Sequence, residues 1–338
     1  MQRNFSRLKL PFFSISMVFI LLICGGWGFL VHRTINQLAV YRLPRPMQDF
    51  FWKYRAYLVQ QAPRPDVRRN SDPQEAPRHF IDLEAYGDSA AWKMPLHWGD
   101  AVRQYTMDTL RKYGYVPYEV QRVKGLLTEA FRRRDRDSIL YYSADLGHYL
   151  GDANVPLHTT LNYDGQLTGQ RGLHSLWESA APDVVMDGWS LRDGHEAQYL
   201  EDPGAAVWSA VRRANGLLKD VLAAELEASK GMADTVKYHK ELRNGREYRT
   251  YTKTFVKEYA ARLGATVHEQ LLNSADLIAD FWYTSWVDGG KPDLDSLLAT
   301  SLDKSDRRAR KAEFKAARKD KLITDRLLMA RQQATTGD

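Results

Sequence analysis

Apolar residues recur at helical intervals over most of the 338-residue chain, whereas the alternation typical of strands is nearly absent. The first such stretch closes at Pro44, because a proline cannot continue a helix. Further stretches predict helices over residues 50–58, 99–113, 117–134, 137–152, 173–180, 205–228 and 252–285. We expect Asp137 to be an N-cap. The pattern predicts an all-α fold with a single multi-helix domain.

Changes in composition predict the boundaries of this domain. Residues 60–79 are rich in proline, arginine, aspartate and asparagine, and we expect them to form an ordered surface loop. Residues 288–303 begin with an Asp-Gly-Gly turn and predict a linker after a domain over residues 27–287. Residues 304–338 form a basic C-terminal tail with helical spacing, for which a solvated helix is favoured over a binding arm.

The formal charge of +6 does not describe the body of the protein. Residues 304–331 hold 11 basic and 4 acidic residues, and the N-terminus adds further cations. The part of the chain between these ends is therefore net acidic. The basic balance alone is thus poor evidence for a nucleic-acid partner, and no protein partner is predicted.

The N-terminus has the features of an export signal. Three basic residues precede an uncharged, largely apolar run over residues 10–31. One interpretation is a signal peptide over residues 1–26 that is removed before Trp27. The other is an uncleaved anchor, because the run is long enough to span a bilayer. We expect an exported protein, periplasmic or secreted, with membrane contact only if the leader is retained.

The single cysteine, Cys24, lies within this leader. If the leader is removed, the mature chain has neither a disulfide nor a thiolate ligand. Any metal ion would then bind to histidine nitrogen and carboxylate oxygen atoms.

Histidines and carboxylates are paired in the middle of the chain. His148 precedes Asp152 by four residues, and His174 precedes Glu178 by four, so each pair would share one face of a helix. His158 follows the first pair on the segment after the helix. For either pair alone, a surface or capping pair is the favoured interpretation. Their combination indicates a metal site.

The order of these residues resembles a known group of enzymes. The central motif of one superfamily is a histidine, three residues, an aspartate, five residues and a second histidine, followed after a loop by a histidine, three residues and an aspartate or glutamate. In this chain these positions are occupied by His148, Asp152, His158, His174 and Glu178. This superfamily contains bacterial zinc-dependent phospholipase C and the extracellular single-strand-specific zinc nucleases. The resemblance covers about residues 27–285 and implies a trinuclear zinc site at the bottom of a cleft.

Four further positions extend the resemblance upstream. The family has an aspartate and a histidine about fifteen positions apart, and Asp82 and His97 are fifteen apart. His79 is the rival of His97 for this role. The family also begins its mature chain with a tryptophan followed by a ligand histidine, which corresponds to Trp27 and His32.

The resemblance implies three zinc ions. The first would be held by Asp82, His97, His148 and Asp152, the second by His158, His174 and Glu178, and the third by the terminal amine and carbonyl of Trp27 with His32 and a bridging Asp152. His195, His239 and His268 match no family position and are expected to be surface or structural residues.

The implied chemistry is hydrolysis of a phosphodiester. A zinc-bridging hydroxide would attack phosphorus in line, and Asp82 would orient the nucleophile or take its proton. A nuclease or nucleotidase acting on single-stranded nucleic acid or nucleotides is favoured. The alternatives are a phospholipase C acting on phospholipid head groups and a non-catalytic zinc-binding envelope protein.

Two groups of side chains are candidates for contact with the substrate. The loop over residues 159–172 carries polar side chains suited to a base, a sugar or a head group, namely Asn162, Tyr163, Asp164 and Gln166. Aromatic residues that could stack on a base are Tyr163, Trp92, Trp98 and Trp177, of which Trp177 is expected in the core.

Overall fold

The computed structural model describes residues 29–192, 194–243 and 246–334. Helices account for 68% of the chain and strands for 3%, which confirms the expected helical fold. The helices of the first half are α1 (Phe29–Arg42), α2 (Arg45–Lys53), α3 (Arg55–Gln61), α4 (Arg64–Arg68), α5 (Ala90–Lys93), α6 (Trp98–Tyr105), α7 (Met107–Tyr113), α8 (Val116–Arg133) and α9 (Arg136–Asp152).

The second half contains shorter helices and one hairpin. Its helices are α10 (Leu173–Ser175), α11 (Ala181–Val185), α12 (Pro203–Gly216), α13 (Leu218–Ser229), α14 (Asp234–Lys237), α15 (Lys253–Leu263), α16 (Thr266–Asp288), α17 (Lys304–Arg318) and α18 (Met329–Ala334). A π-helical turn over Leu176–Ala180 joins α10 to α11. Strands β1 (Tyr238–Arg243) and β2 (Arg246–Tyr251) pair antiparallel.

Local geometry divides three of the helices that periodicity predicts as continuous. Thr106 adopts φ +64° and separates α6 from α7, because a left-handed residue interrupts a right-handed helix. Gly264, at φ +61°, ends α15 in the same way. A further break separates α12 from α13. The N-cap of α9 is Asp135, not Asp137, since the Asp135 side chain accepts a hydrogen bond from the Ser138 N–H at 3.2 Å.

The main hydrophobic core lies among α1, α8, α9 and α16. Trp282 on α16 is fully buried, stacks on Phe51 with ring centroids 5.0 Å apart, and donates its indole N–H to the Ser143 carbonyl. A second core joins α13 and α15 to the π-helical turn and includes Trp177, which is 4% exposed. The interior placement of Trp177 agrees with its expected core role.

Two glycines allow α1 to approach α9 unusually closely. A Cβ atom on Gly147 would lie 2.3 Å from the Asn36 side chain, and one on Gly151 would lie 2.7 Å from Ile35 and 3.0 Å from His32 Nδ1. Real side chains do not tolerate such distances. The glycines therefore form the surface on which α1 rests, and they place His32 against the end of α9.

The C-terminal segment packs on the body and is not the solvated tail that the charge pattern favours. Glu313 on α17 is buried and accepts hydrogen bonds from Tyr41, Trp52 and Arg55. Gln37 of α1 donates to the Leu327 carbonyl and accepts from the Met329 N–H, both at 2.8 Å. The charge pattern alone does not show that a charged residue of this segment, Glu313, is buried with its hydrogen-bond partners.

The expected leader falls almost entirely outside the described residues. Only the end of the uncharged run is described, where Leu30 and Val31 belong to α1 and pack against the main core. Trp27, the expected start of the mature chain, also lies outside the described residues. Within the described ranges, no helix is both long and apolar enough to cross a membrane.

We predict that Gly151→Ala disturbs both stability and the position of His32. The added methyl group must displace Ile35 or His32, and overpacking of this kind costs about 1–3 kcal/mol. Urea denaturation measures this cost. Gly125→Ala on α8 is the matched control. Its Cβ atom would meet nothing within 4 Å, and at an exposed position within a helix alanine is more favourable than glycine. Equal effects of the two substitutions would contradict this account.

Candidate metal centre

Eight side chains from several elements converge in one largely buried cluster. His32 comes from α1, Asp66 from α4 and the His148–Asp152 pair from the last turn of α9. The others lie on short turns between the long helices. The cluster consists of His32, Asp66, His79, His148, Asp152, His158, His174 and Glu178.

Group 1 consists of Asp66, His79, His148 and Asp152. His79 Nδ1 lies 2.9 Å from Asp152 Oδ2 and 3.1 Å from His148 Nε2. Asp66 Oδ1 lies 3.6 Å from His79 Nδ1 and 3.7 Å from His148 Nε2. Ligand atoms around a tetrahedral zinc ion are about 3.3 Å apart when the bonds are about 2.0–2.1 Å long. The contacts among His79, His148 and Asp152 match this spacing, and those of Asp66 with the two histidines are slightly longer. Asp66 also forms a set of possible ligands with His32 and His148.

Group 2 consists of His158, His174 and Glu178. The two Nε2 atoms are 2.8 Å apart, and Glu178 Oε2 lies 2.9 Å from His174 Nε2 and 3.5 Å from His158 Nε2. His174 is one-third exposed, in contrast to the buried His148 of group 1. Three protein ligands on a side open to solvent are typical of a metal site that also binds water or substrate.

Group 3 consists of His32, Asp152 and Glu178. His32 Nε2 lies 3.2 Å from Glu178 Oε1 and 3.6 Å from Asp152 Oδ1. The His32 ring stacks on the ring of His148 with centroids 4.0 Å apart. The close contact of α1 with α9 therefore places this histidine directly beside group 1.

Two carboxylates connect the three groups. Asp152 directs Oδ2 towards His79 in group 1 and Oδ1 towards His32 in group 3. Glu178 directs Oε1 towards His32 in group 3 and Oε2 towards His174 in group 2. The resemblance implies a bridging role for Asp152. The corresponding division of the two oxygens of Glu178 is an additional finding.

Backbone carbonyl groups fix the orientation of two histidine rings. His148 Nδ1 donates to the Ala62 carbonyl at 3.0 Å, and His158 Nδ1 donates to the His79 carbonyl at 2.7 Å. With the proton on Nδ1, each Nε2 atom presents its lone pair to the cluster. A carbonyl acceptor on the outer nitrogen is a common arrangement for a metal-binding histidine.

The buried carboxylates attract positive charge to this cluster. Burial lowers the pKa of His32, but hydrogen bonding to Glu178 and the charge of Asp152 outweigh it and raise the pKa to about 9. Burial also opposes ionisation of His79, whose pKa rises to about 9 because of Asp152 and Glu75. These protons occupy nitrogen atoms that a metal ion would otherwise bind.

Burial and the neighbouring positive charge of His32 lower the pKa of His148 to about 3. This imidazole is therefore neutral at ordinary pH, as metal binding requires. The pKa of Glu178 lies well below its usual range, because its contacts with His158, His174 and His32 outweigh the effect of burial.

The donor set fits a metal ion of the kind that binds imidazole and carboxylate. His32 Nδ1 is buried without a hydrogen-bond partner among the described residues. His158 and His174 also direct ring nitrogens at one another, an arrangement that a shared cation would stabilise. These groups could therefore hold metal ions.

The structure does not bring every predicted ligand into the cluster. His97 lies at the start of α6, where its side chain is exposed. His79, its rival, occupies group 1 instead. Asp82 is buried near His158 of group 2 but belongs to none of the three groups. Asp66 provides the carboxylate that was expected from Asp82. The number of residues from Asp66 to His79 is nearly the same as the number from Asp82 to His97.

A buried carboxylate behind group 1 was not predicted from the sequence. Glu75 Oε1 lies 3.4 Å from His79 Nε2, and Glu75 also accepts hydrogen bonds from Arg68, Arg78 and Tyr149. His79 is thus held between Glu75 and the cluster. The expected surface loop over residues 60–79 is in fact a wall of the site, because its charged residues pair inward.

Asp145, three residues before His148 on α9, pairs with two arginines of α4. It accepts hydrogen bonds from Arg64 at 2.7 Å and from Arg68 at 3.2 Å. Burial raises its pKa, and the two arginines oppose that effect. Asp145 therefore joins α4 to α9, and in this way it supports the position of Asp66.

The loop between His158 and His174, two residues of group 2, uses most of its polar groups internally. Asn162 bonds to Thr168 and to the Leu167 N–H, and Gln166 bonds within the loop. Tyr163 is 53% exposed, and its ring centroid lies 6.4 Å from that of His174. Of the loop side chains suggested for substrate contact, Tyr163 is therefore the best placed.

The remaining aromatic and histidine candidates lie away from the cluster. Trp92 is 71% exposed with Arg212 over its ring, and Trp98 packs beside Tyr115. The three histidines with no expected ligand role also lie elsewhere. His195 bonds to Asp280, His239 to Thr250 and His268 to the Ser190 carbonyl.

No protein-family model matches the chain. No curated protein matches it either. The assignment of a function therefore depends on the geometry of the cluster and on the motif in the sequence.

We predict that the metal-free protein loses stability as the pH rises from about 6.5 to 9. The pKa values of His32 and His79 rise from 6.5 to about 9 on folding, so their contribution is complete below pH 6.5 and is lost above pH 9. Thermal unfolding of chelator-treated protein across this window measures the loss. Added zinc should raise the melting temperature most at the alkaline end. A melting temperature that is constant or rises across the window contradicts the prediction.

A second prediction separates the two histidines that compete for group 1. His79→Ala removes a ligand and should lower the metal content after dialysis by about one ion per chain. His97→Ala should leave the metal content unchanged, because His97 is exposed at the start of α6. Elemental analysis of the two purified variants decides between them. The reverse result would place His97 in the site.

Proposed function

We propose that the protein is a zinc-dependent phosphodiester hydrolase that binds three zinc ions. The observation that carries this proposal is the division of the carboxylate oxygens of Asp152 and Glu178 between adjacent groups. A carboxylate that bridges two cations is expected to direct one oxygen at each of them. The motif in the sequence supports the choice of zinc, and so does the set of nitrogen and oxygen donors.

The residues of the three groups have different roles in this proposal. Group 1, with three ligands and Asp66 beside them, would hold an ion firmly, whereas group 2 leaves room for water or substrate beside the partly exposed His174. Bound zinc ions would lower the pKa of a coordinated water and stabilise the negative charge that develops during phosphoryl transfer. The buried histidines and carboxylates keep these charges close together and shielded from solvent.

Asp82 is proposed as a group that holds or accepts a proton at its carboxylate. It is 8% exposed, and burial together with the charge of Glu84 raises its pKa to about 7. The neighbouring Ile81 N–H donates to the His158 carbonyl, which fixes this segment beside group 2. A carboxyl group with such a pKa can exchange a proton near neutral pH. This role replaces the direct metal contact expected of Asp82.

A nuclease or nucleotidase is the favoured form of this activity. Tyr163 lies exposed beside His174, where its ring could stack on a base of single-stranded nucleic acid or of a nucleotide. Export from the cytoplasm belongs to the same proposal. The third site further requires removal of the leader before Trp27, which would free an amine for zinc.

Phospholipase C is the second candidate, and one observation favours it. Leu161 and Leu167, on the loop that carries Tyr163, are 37% and 71% exposed. Exposed leucines beside an open metal group are suited to contact with lipid chains. Both candidates use the same phosphodiester chemistry and differ in what flanks the phosphate.

The proposal is tested with bis(p-nitrophenyl) phosphate and zinc-loaded protein. We expect hydrolysis that a chelator abolishes and zinc restores. Asp152→Ala should remove ligands from two groups and lower activity by about 100-fold or more. His239→Ala should leave it unchanged, since His239 is an exposed hairpin residue bonded to Thr250.

Parallel assays on single-stranded DNA, RNA, 3′-mononucleotides and phosphatidylcholine then identify the substrate. A protein that retains its zinc but hydrolyses none of these compounds would be a non-catalytic metal protein, and the enzyme proposal would fail.

A further inference from the structure

A large groove lies at the opposite end of α1 from His32. Its volume is about 990 Å³, and its walls come from the α1–α2 junction, the segment around Ala197 and helix α17. The walls are joined by hydrogen bonds. The Ala197 N–H donates to the Arg42 carbonyl, and the Leu191 N–H donates to Asp320 just beyond α17. The groove is therefore part of the fixed structure.

Seven cationic side chains line this groove. Arg42 pairs with Asp276 at 2.7 Å, and Arg310 pairs with Asp49. Within the described residues, the other five cations have no carboxylate within 4.0 Å. They are Arg45, Arg192, Arg307, Lys311 and Arg318. Glu196 is the one acidic residue among the described lining residues.

The excess of positive charge in this groove favours an anionic ligand. Cations brought together from three separate elements repel one another, and among the residues that the structure describes only two of the seven have a carboxylate within 4.0 Å. A ligand with several negative charges would relieve the repulsion. The volume of the groove exceeds the needs of one phosphate and is at the upper end of the range for ligand pockets.

The surroundings of the groove do not suit a lipid surface. Membrane-bound amphipathic helices insert an apolar face into the bilayer. On α17 that face is already buried in the protein core through Phe314 and Ala316. None of the exposed large apolar residues lines the described part of the groove.

We propose that this basic groove binds the phosphate backbone of single-stranded nucleic acid. A concave surface with spaced cations is the usual means of following such a backbone without reading its sequence. Arg42 and His32 are ten residues apart on α1, so the groove begins about 15 Å along this helix from group 3. The inference deepens the proposed function by naming a polymeric substrate, and it rests on that function only for the cleavage step.

The test measures binding of a fluorescent 20-nucleotide oligo(dT) to full-length protein in the presence of EDTA, which prevents cleavage. Arg307→Gln/Lys311→Gln removes two unpaired cations. Each phosphate contact on a single strand contributes about 0.7 to the slope of log K against log salt, so we expect this slope to decrease by about 1.4. We expect an affinity loss of about 10-fold or more at 0.1 M salt.

Lys253→Gln/Lys257→Gln on α15 is the matched control. These lysines are exposed, have the same i,i+4 spacing and lie outside the groove, so oligonucleotide affinity should change less than twofold. Arg192→Gln/Arg318→Gln provides a second groove variant, in which one cation comes from the segment before Ala197 and the other from the C-terminal end of α17. Unchanged binding by both groove variants would overturn the inference.

Two further measurements distinguish the possible failures. Hydrolysis of bis(p-nitrophenyl) phosphate should be unaffected in the groove variants, because that compound is too small to contact the groove while it is bound at the metal centre. Wild-type protein that binds the oligonucleotide through the groove but hydrolyses no phosphodiester supports the groove and refutes the enzyme. Groove variants that lose binding to anionic phosphatidylglycerol vesicles but keep oligonucleotide affinity would overturn the inference in favour of a membrane surface.

Discussion

The burial of Asp152 and Glu178 among histidines is the constraint on which the rest of the structure depends. A carboxylate removed from water is costly unless positive charge and hydrogen-bond donors surround it. The fold meets this requirement by directing α1, α9 and several short turns to one point. The protons on His32 and His79 and a bound metal ion are alternative ways of neutralising the same charge.

The parts of the site that are local in sequence were predictable. The pair His148 and Asp152 lies one helical turn apart whatever the rest of the chain does, and the same reasoning applies to His174 and Glu178. The i,i+4 contacts are present at 3.3 Å and 2.9 Å. A motif of this kind can be predicted from the sequence because helix geometry, rather than tertiary packing, determines the distances within it.

The parts that depend on the path of the chain were not predictable from spacing. His97 and His79 were both compatible with the motif, and only the course of residues 60–79 decides which one reaches Asp152. Asp66 was missed because a segment rich in proline and charge predicts a surface loop. Arg64 and Arg68 form ion pairs with Asp145 on α9. These pairs cannot be predicted without knowing that α9 lies beside this segment.

The contact of Gln37 with residues 327 and 329 has a consequence for the order in which the protein is made. α1 is made well before the segment over residues 327–329, which lies about 290 residues later in the chain. While the chain is still growing, the helix that carries His32 lacks these partners. The helix that carries His32 therefore gains these contacts only after the segment around Leu327 has been made. Two parts of the chain that are far apart in sequence together determine where this histidine lies beside α9.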